Sequence, residues 1–413
     1  MKVLHVNKFY FLKGGSEKYM FELSRKLEAA GHKNMFFSME DRRNVSSEYS
    51  GHFVSNVDFN EMTLATKLRT VPRVLYFLEA RKKIEALIKR ERPDIAHLHN
   101  IAHQISPSIL HSLGKYNIPA VQTLHDYKLI CPTYYLFSNG RNCEKCKCGG
   151  YYNAVFNRCT KGSLAASLLN CAEMYTHRIM RIYDNIDFFI APSRSVRDKM
   201  TEFGVNPAKL VYLPHFIDSS AYTPDYGHSG HILYFGRLSP GKGLNTLIDA
   251  MKGLDRIRLK IIGEEDPREK GLREKVTKEG IDNVEFLGYK AGEELKEEMG
   301  RAMFVVVPSV HYEIFGLVIL EAFAMGKPVV GSDLFAIPEL VRDGVTGLTF
   351  EPGNAEDLRA KIKYLVDNPQ KIVDMGKNAR RFTENEMSFE RHYPKLLEVY
   401  ERAISLRGRK RTL

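Results

Sequence analysis

Two basic residues in a glycine-rich stretch have the spacing of a diphosphate-binding site. The stretch FGRLSPGKG (235–243) directly follows the apolar run HILYF and precedes a helical pattern that runs from Leu244 to Gly253. A glycine turn at that place exposes backbone N–H groups, while Arg237 adds a fork of donors and Lys242 a point charge. The pattern predicts a site for two linked phosphates. Taken alone, it is also compatible with an ordinary loop.

Two glutamates eight residues apart indicate a second half of the same site. In EIFGLVILE (313–321), Glu313 precedes a predicted helix and Glu321 lies more than one turn inside it. Anions are stabilised by the free N–H groups at a helix N-terminus, which fall here at Phe315, Gly316 and Leu317. Apolar residues surround Glu321, so we expect a buried carboxylate that needs a partner such as a sugar hydroxyl. The alternative for Glu321 is an exposed helix position.

The elements that must position these residues form two series. Apolar, β-branched runs alternate with helical patterns, which predicts parallel sheets with crossover helices, and the series restarts at His231 after a polar stretch. We expect an α/β fold of two doubly wound, Rossmann-like domains that face a central cleft at the carboxyl ends of their strands. The predicted domains are 1–215 and 216–388. Residues 389–413 are predicted to form a helix and basic tail that packs back on the N-terminal domain.

Several stretches resemble the retaining glycosyltransferases of the large group-four family, which have the GT-B fold. They are FGRLSPGKG, PSVHYEIFGLVILEAFAMGKPVVGSD, IPELVRDGVTGLTFEPGNAEDL and the N-terminal GGSEKYMFELSRKLEAAGH. The resemblance implies transfer of a sugar from a nucleotide diphosphate sugar to a saccharide or lipid-linked saccharide, with retention of configuration. It implies polysaccharide or glycolipid biosynthesis, no required cofactor and no metal at the active site.

The resemblance also implies roles for the residues of the C-terminal half. Arg237 and Lys242 would hold the donor diphosphate beside the N–H groups of residues 315–317. Glu321 would bind the nucleotide ribose, and Glu313 would contact the hydroxyls of the transferred sugar as a catalytic residue.

The resemblance implies roles for two N-terminal positions as well. Gly15, in the turn before a predicted helix from Ser16 to Ala30, would let the opposite domain approach the phosphates. His125, in TLHD at the end of a predicted strand, would be an active-site histidine near the transferred sugar. Without the resemblance, a hydrogen-bonded structural histidine is the ordinary interpretation of His125.

A cysteine cluster lies in a predicted insertion at about 131–171. Cys143, Cys146, Cys148 and Cys159 give the pattern C-x2-C-x-C-x10-C. Zinc binds four thiolates in a tetrahedron and would stabilise such an insertion. The spacing is looser than a paired C-x2-C site, so reduced structural thiols are the alternative to a structural zinc.

Basic residues exceed acidic ones by 61 to 50, a net charge of +11, and they concentrate in two places. The segment from Lys67 to Pro93 carries nine basic and three acidic residues, and the chain ends in RGRKRTL. Within the first segment, apolar residues recur near helical spacing, at Val74, Leu75, Phe77, Leu78, Ile84, Leu87 and Ile88. The pattern fits either a solvated helix face or an anionic membrane surface.

The remaining features bound the class of protein. No run of about 18 apolar residues exists, and MKVLHVNKFY lacks the features of a secretory signal, so we expect a cytoplasmic location, with a peripheral position on the inner membrane face. No nucleic-acid partner is expected, since only the basic charge suggests one. Two alternatives to a transferase are an epimerase of nucleotide sugars and a non-catalytic nucleotide-sugar-binding protein.

Overall fold

The structure is a computed structural model that describes residues 1–56, 71–227, 229–266, 269 and 271–409. Two six-stranded sheets, each made of parallel strands, divide it into two domains. Most strands are short runs of buried apolar residues, as expected for parallel sheets that are covered on both faces.

The N-terminal domain alternates strands with α-helices along the described residues, and residues 71–75 are also helical. The strands are β1 (Lys2–Val6), β2 (Lys33–Phe37), β3 (Ile95–Leu98), β4 (Ala120–Thr123), β5 (Phe137–Ser138), β6 (Arg141–Asn142), β7 (Phe188–Ala191) and β8 (Leu210–Tyr212). The helices are α1 (Gly15–Ala29), α2 (Leu78–Glu91), α3 (Ile109–Lys115), α4 (Asn153–Phe156), α5 (Leu164–Ile179) and α6 (Arg194–Glu202). The sheet order is β2-β1-β3-β4-β7-β8, and β5 and β6 form a separate antiparallel hairpin.

The C-terminal domain repeats this architecture. Its strands are β9 (His231–Phe235), β10 (Arg258–Ile262), β11 (Val284–Gly288), β12 (Ala302–Val307), β13 (Val329–Ser332) and β14 (Gly347–Phe350), in the sheet order β11-β10-β9-β12-β13-β14. Its helices are α7 (Leu244–Met251), α8 (Leu272–Lys278), α9 (Gly292–Arg301), α10 (Leu317–Ala324), α11 (Ile337–Leu340), α12 (Ala355–Asp367) and α13 (Pro369–Glu386). Short 3₁₀ turns lie at Ser50–His52, Lys147–Gly149, Ile182–Asn185, Pro207–Lys209 and Ser219–Ala221.

The last helix, α14 (Phe389–Arg409), packs on the N-terminal domain although it follows the C-terminal one in sequence. Its buried side chains Leu396, Val399 and Tyr400 share a core with residues of β1 and α1. The Arg407 guanidinium also donates to the buried carboxylate of Asp187, with Nε 2.8 Å from Oδ1. Residues 410–413 of the predicted basic tail lie outside the described residues.

The carboxyl-terminal edges of the two sheets face each other. Residues that follow β7 contact residues that follow β12 and β13: the Ser193 hydroxyl donates to the Ile314 carbonyl, and the N–H groups of Arg194 and Ser195 donate to the Glu339 carboxylate at 2.9 and 2.8 Å. Parallel α/β sheets bind ligands at this edge. The predicted fold class, two Rossmann-like domains around a central cleft, is confirmed.

The basic segment before β3 does not form the interfacial helix that its apolar spacing suggested. Five of its seven apolar residues are buried, namely Val74, Phe77, Ile84, Leu87 and Ile88. The interpretation of these side chains as a membrane-inserting face is therefore wrong, because the same helical spacing packs them inside the protein. Lys67 and Arg69 lie outside the described residues. In the part of the chain that is described, no helix has both the length and the apolarity to cross a bilayer.

Candidate active site

An ion pair between Lys242 and Glu313 lies at the centre of the cleft. The turn that carries Lys242 is held to the loop of Glu313 because the Gly241 carbonyl accepts the N–H group of Val310 at 2.8 Å. Lys242 Nζ lies 2.6 Å from Glu313 Oε1, and the Ser309 hydroxyl donates to the same oxygen at 2.5 Å. Burial alone would raise the pKa of Glu313, but Lys242 and His311 lower it to about 2, so the carboxylate stays ionised at neutral pH.

Arg237 lies across the cleft from the glycine turn that precedes α1. A Cβ built on Gly14 would be 3.9 Å from Arg237 Nη2, and a Cβ built on Gly15 would be 3.1 Å from Leu317 Cδ1. A side chain at position 15 would therefore require Leu317 to shift by a few tenths of an ångström, which glycine avoids. The guanidinium of Arg237 is exposed, and it belongs to the same group of charges as Lys242, since both act on the titration of His311.

The N-terminus of α10 opens toward this pair of cations. Gly316 precedes the helix with φ 102°, a conformation that glycine adopts without strain. Among the described residues, no acceptor is recorded for the backbone N–H groups of Phe315, Gly316 and Leu317. The predicted anion-binding N–H groups therefore lie directly after Glu313, close to Arg237 through the contact of Leu317 with Gly15.

Glu321 is buried and bound by a lysine of the opposite domain. Lys18, on α1, donates to Glu321 Oε1 and lies 2.9 Å from the hydroxyl of Tyr222. Burial alone would lower the pKa of Lys18, but the Glu321 carboxylate raises it, so the ammonium is retained. The prediction of a buried carboxylate with a partner agrees with this geometry, and the exposed alternative does not. The sequence interpretation did not include Lys18, although it lies only three residues after Gly15 of the turn that was singled out.

His125 belongs to a cluster of histidines at the carboxyl ends of β1, β3 and β4, in which His5, His97 and His99 are buried and His125 is partly buried. Its Nε2 lies 3.1 Å from Nδ1 of His99, and its ring stacks on that of His215 at 5.2 Å. His215 in turn contacts Phe315 of the C-terminal domain at 5.0 Å between ring centroids. Burial lowers the pKa of His125 to about 3, so the imidazole is neutral at physiological pH.

The same cluster includes the one trio of potential metal ligands found among the described residues, His5, His97 and His99. Their rings lie nearly parallel, with 16° between His5 and His99 and 20° between His97 and His99. The lone pair of an imidazole nitrogen lies in the plane of its ring, so stacked rings do not direct their lone pairs to a common point. This geometry is that of a packed aromatic cluster.

The four cysteines of the predicted zinc site do not lie as close together as the three histidines. Cys146 is buried, Cys143 and Cys159 are partly buried, and Cys148 is exposed. In the described part of the chain, no three cysteine sulfurs lie within 4.8 Å of one another. Burial raises the pKa of Cys146 to about 12, which favours the protonated thiol. The structural zinc stays a prediction, and the geometry adds no support to it.

The cleft therefore gathers three cationic side chains, two glutamates and a helix N-terminus. Arg237, Lys242, Gly15, Glu313, Glu321 and residues 315–317 converge on it, and His125 adjoins it through His215 and Phe315. Besides Lys18, sequence reasoning missed His99, His215 and His311. The available signal for the histidines was that three of the strand-like runs of the N-terminal half contain or end in histidine.

Two family models match consecutive halves of the chain. Residues 13–221 match the model described as Glycosyltransferase Family 4, and residues 224–382 match Glycosyl transferases group 1. An uncharacterized glycosyltransferase of Methanocaldococcus jannaschii is 32% identical over 217 residues, which are 52% of this chain and 60% of that protein. The chain thus spans less than two thirds of that relative's length.

Two solved structures share the fold over nearly their whole length. Sucrose-phosphate synthase from Thermosynechococcus elongatus has a TM-score of 0.75 and 19% identity, covering 98% of this chain and 99% of its own. HepE of Anabaena, in complex with UDP and glucose, has a TM-score of 0.69 and 19% identity, and the match covers 97% of this chain and 99% of HepE. With the family models matching both halves, these similarities establish that the chain belongs to the group-1 glycosyltransferases with the GT-B fold.

Proposed function

We propose that the protein is a retaining glycosyltransferase that moves a sugar from a nucleotide diphosphate sugar to a saccharide or lipid-linked saccharide. One observation carries the proposal. Lys242 is paired with Glu313, whose loop leads into the N–H groups at the start of α10, and Arg237 of the same glycine-rich turn lies beside Gly14 of the opposite domain, so that an anion and a hydroxylated ring could be bound side by side. Family membership and the UDP complex of Anabaena HepE support this choice of donor class.

The positive groups of the cleft match the charge that develops when the sugar leaves its diphosphate. As the bond between the anomeric carbon and the phosphate oxygen breaks, negative charge grows on the leaving group. Arg237 and Lys242 stabilise that charge together with the N-terminus of α10, and fixed donors of this kind need no reorganisation during the reaction. These two cations supply the charge that a metal ion supplies in other transferases, so we propose metal-independent transfer.

Retention is proposed to follow from attack on the face that the leaving group vacates. The acceptor oxygen forms a bond to the anomeric carbon, and its proton passes to an oxygen of the departing diphosphate, which balances the reaction. Glu313 would accept hydrogen bonds from the sugar hydroxyls, and Glu321 would do the same for the ribose. His125, neutral at physiological pH, would donate or accept a hydrogen bond beside the transferred sugar.

The acceptor is proposed to be a saccharide carried on a lipid, used in polysaccharide or glycolipid synthesis at the inner face of an anionic membrane. The net charge of +11 supports this choice, since anionic surfaces attract basic proteins. A lipid-linked acceptor would bind on the side of the N-terminal domain, next to His125.

A panel of nucleotide sugars tests the donor class. We expect one donor to raise the melting temperature, because a ligand that binds only the folded state stabilises it. Transfer to an acceptor, followed by NMR of the new linkage, should show the donor's anomeric configuration and should persist with EDTA. Isomerised donor formed without an acceptor would identify an epimerase instead. Binding without turnover of any donor on any acceptor would contradict the proposal in favour of a binding protein.

Glu313→Gln and Lys242→Met test the roles of the ion pair. Both should lower kcat by about 10²- to 10³-fold, the usual effect of removing a preorganised charge or donor. Lys363→Met, on the exposed face of α12, is the matched control and should leave kcat unchanged. Equal effects of the three substitutions would show that the pair has no part in the chemistry.

A further inference from the structure

The cysteine-rich insertion presents a surface that combines exposed apolar and basic side chains. Residues 131–171 include five basic residues, Arg141, Lys145, Lys147, Arg158 and Lys161, all of them exposed. The one acidic residue of the segment, Glu144, is half-buried, and Lys199 neutralises it at 2.7 Å. The insertion therefore exposes five cations and no carboxylate of its own, and one of the cations, Lys147, pairs with Glu202 of α6 at 2.6 Å.

Four large apolar side chains are exposed on the same short segment. Tyr152 and Phe156 are 54% and 81% exposed, and Leu164 and Leu168 are 52% and 58% exposed. Each pair has the i, i+4 spacing that places two side chains on one face of a helix, and the rings of Tyr152 and Phe156 are 6.2 Å apart. Scattered apolar residues are normal on a protein surface, whereas apolar side chains that lie together are a feature of interaction sites.

The fold of the insertion holds these side chains outward. The opposite face of α5 is buried, through Asn170, Cys171 and Met174 among others, and it packs against α4. The Asn170 amide donates to the Thr160 hydroxyl at 3.0 Å, which fixes the loop between the two helices. Leu164 and Leu168 cannot turn inward without breaking this packing.

The insertion is also anchored to the donor side of the cleft. The Asn142 amide on its hairpin donates to the Val310 carbonyl at 3.1 Å, and the Phe137 ring contacts His311. His311 adjoins Glu313, with 3.6 Å between Nδ1 and Oε1. A surface bound by the outer part of the insertion would therefore lie at a fixed distance from the site of transfer.

We propose that this surface, defined by Tyr152, Phe156, Leu164, Leu168 and the five basic residues, docks the protein on a bilayer that contains anionic phospholipids. The cations bind the phosphate headgroups, and the apolar side chains enter the boundary between headgroups and acyl chains. A protein partner would need a complementary acidic face, whereas a bilayer supplies negative charge and apolar depth together. This docking surface would serve the proposed use of a lipid-linked acceptor, and its biological purpose rests on that proposed function. Binding to a bilayer can be measured without it.

Sedimentation with vesicles tests the surface without any sugar substrate. The full chain should bind vesicles of phosphatidylcholine and phosphatidylglycerol in equal amounts, and bind phosphatidylcholine alone far more weakly. Each cation near an anionic surface contributes about fivefold to the partition coefficient, so Lys145→Gln, Arg158→Gln and Lys161→Gln together should lower it about 100-fold. Phe156→Ser should lower it about tenfold or more, since the buried aromatic surface is lost.

Matched controls lie in the C-terminal domain. The exposed lysines Lys363, Lys371 and Lys377, changed together to Gln, and the exposed Tyr364, changed to Ser, should leave the partition coefficient within about twofold. Unfolding midpoints of all variants should match that of the parent, which excludes misfolding as the cause of a loss.

Several results would overturn the proposal. Equal binding to neutral and anionic vesicles would show that the five cations do not contribute to binding. Equal losses of binding in the insertion variants and in the C-terminal control variants would show that only the net charge of the protein matters. If Phe156→Ser abolished self-association in light scattering and left vesicle binding unchanged, the surface would be a contact between proteins. Failure of sugar transfer leaves these measurements intact, so the proposed function and the docking surface are tested separately.

Discussion

The buried histidines predict that the N-terminal domain loses stability between pH 7 and pH 5. Burial lowers the pKa of His5 and His392 to about 4 and of His103 and His125 to about 3. An unfolded chain would titrate the same groups near 6.5. Because the folded-state pKa is depressed, the unfolded state takes up the protons first, so stability is complete above about pH 6.5 and falls as the pH drops toward 4.

The size of the effect follows from these values. Lowering the pH from 7 to 5 costs each of the four histidines about 2 kcal/mol, so together they remove about 7 kcal/mol. That is a large part of the 5–15 kcal/mol that a typical domain has. The other buried histidines of the cluster, His97, His99 and His215, have pKa values lowered by the same burial and act in the same direction.

Urea unfolding at pH 7, 6 and 5, followed by far-ultraviolet circular dichroism, measures the effect. With about 1–3 kcal/mol lost per molar urea, the first transition should move by at least about 2 M between the extremes. Carboxylates with depressed pKa values lose their contribution mainly below pH 5, since they titrate near 4 when unfolded, so this window reports on histidines. His5→Asn should reduce the difference between pH 7 and pH 5 by about 2 kcal/mol. A midpoint that stays constant from pH 7 to 5 would refute the reasoning.

Three further predictions follow from individual contacts. Lys242→Arg keeps the positive charge but changes the shape of the charged group, so it should bind the nucleoside diphosphate more tightly than Lys242→Met does. Calorimetry measures both affinities, and equal values would contradict a role for the charge of Lys242. Gly15→Val should weaken the same binding because its side chain meets Leu317, and Leu317→Ala should restore part of it; no rescue would place the defect elsewhere. Arg407→Met leaves the buried carboxylate of Asp187 unpaired and should lower the free energy of unfolding by about 3–5 kcal/mol, whereas a loss below about 1 kcal/mol would show that the pair is not needed to dock α14.

Much of the fold was predictable because its signals are local. The apolar runs KVLHV, HILYF and GLTF form β1, β9 and β14, since buried β-branched runs between glycine-rich turns have few other uses. The helix after Gly316 also begins where expected. The basic segment after Lys67 left a solvated helix face and a membrane surface open, because helical spacing of apolar residues does not distinguish a core from a bilayer.

The site was predictable only where its residues are close in sequence. Glu313 and Glu321 flank the start of one helix, so their spacing carried the information. The histidine cluster joins positions from 5 to 392, and only the strand order β2-β1-β3-β4 brings β1 next to β3 and β3 next to β4. Lys18 reaches Glu321 across the cleft, and such a contact between domains leaves no pattern in a single sequence.

Both glutamates of the cleft already hold an ammonium group, and this arrangement suits the proposed donor. Lys242 keeps Glu313 ionised despite burial, and Lys18 pairs with Glu321 across the two domains. A carboxylate buried without a partner would favour its neutral form and would accept sugar hydroxyls less well. The Lys242 pair thus preserves the charged acceptor that the sugar hydroxyls would use, and the Lys18 pair gives the buried Glu321 carboxylate a partner. Since Lys18 and Glu321 belong to different domains, the same pair that prepares the ribose site also holds the two domains together.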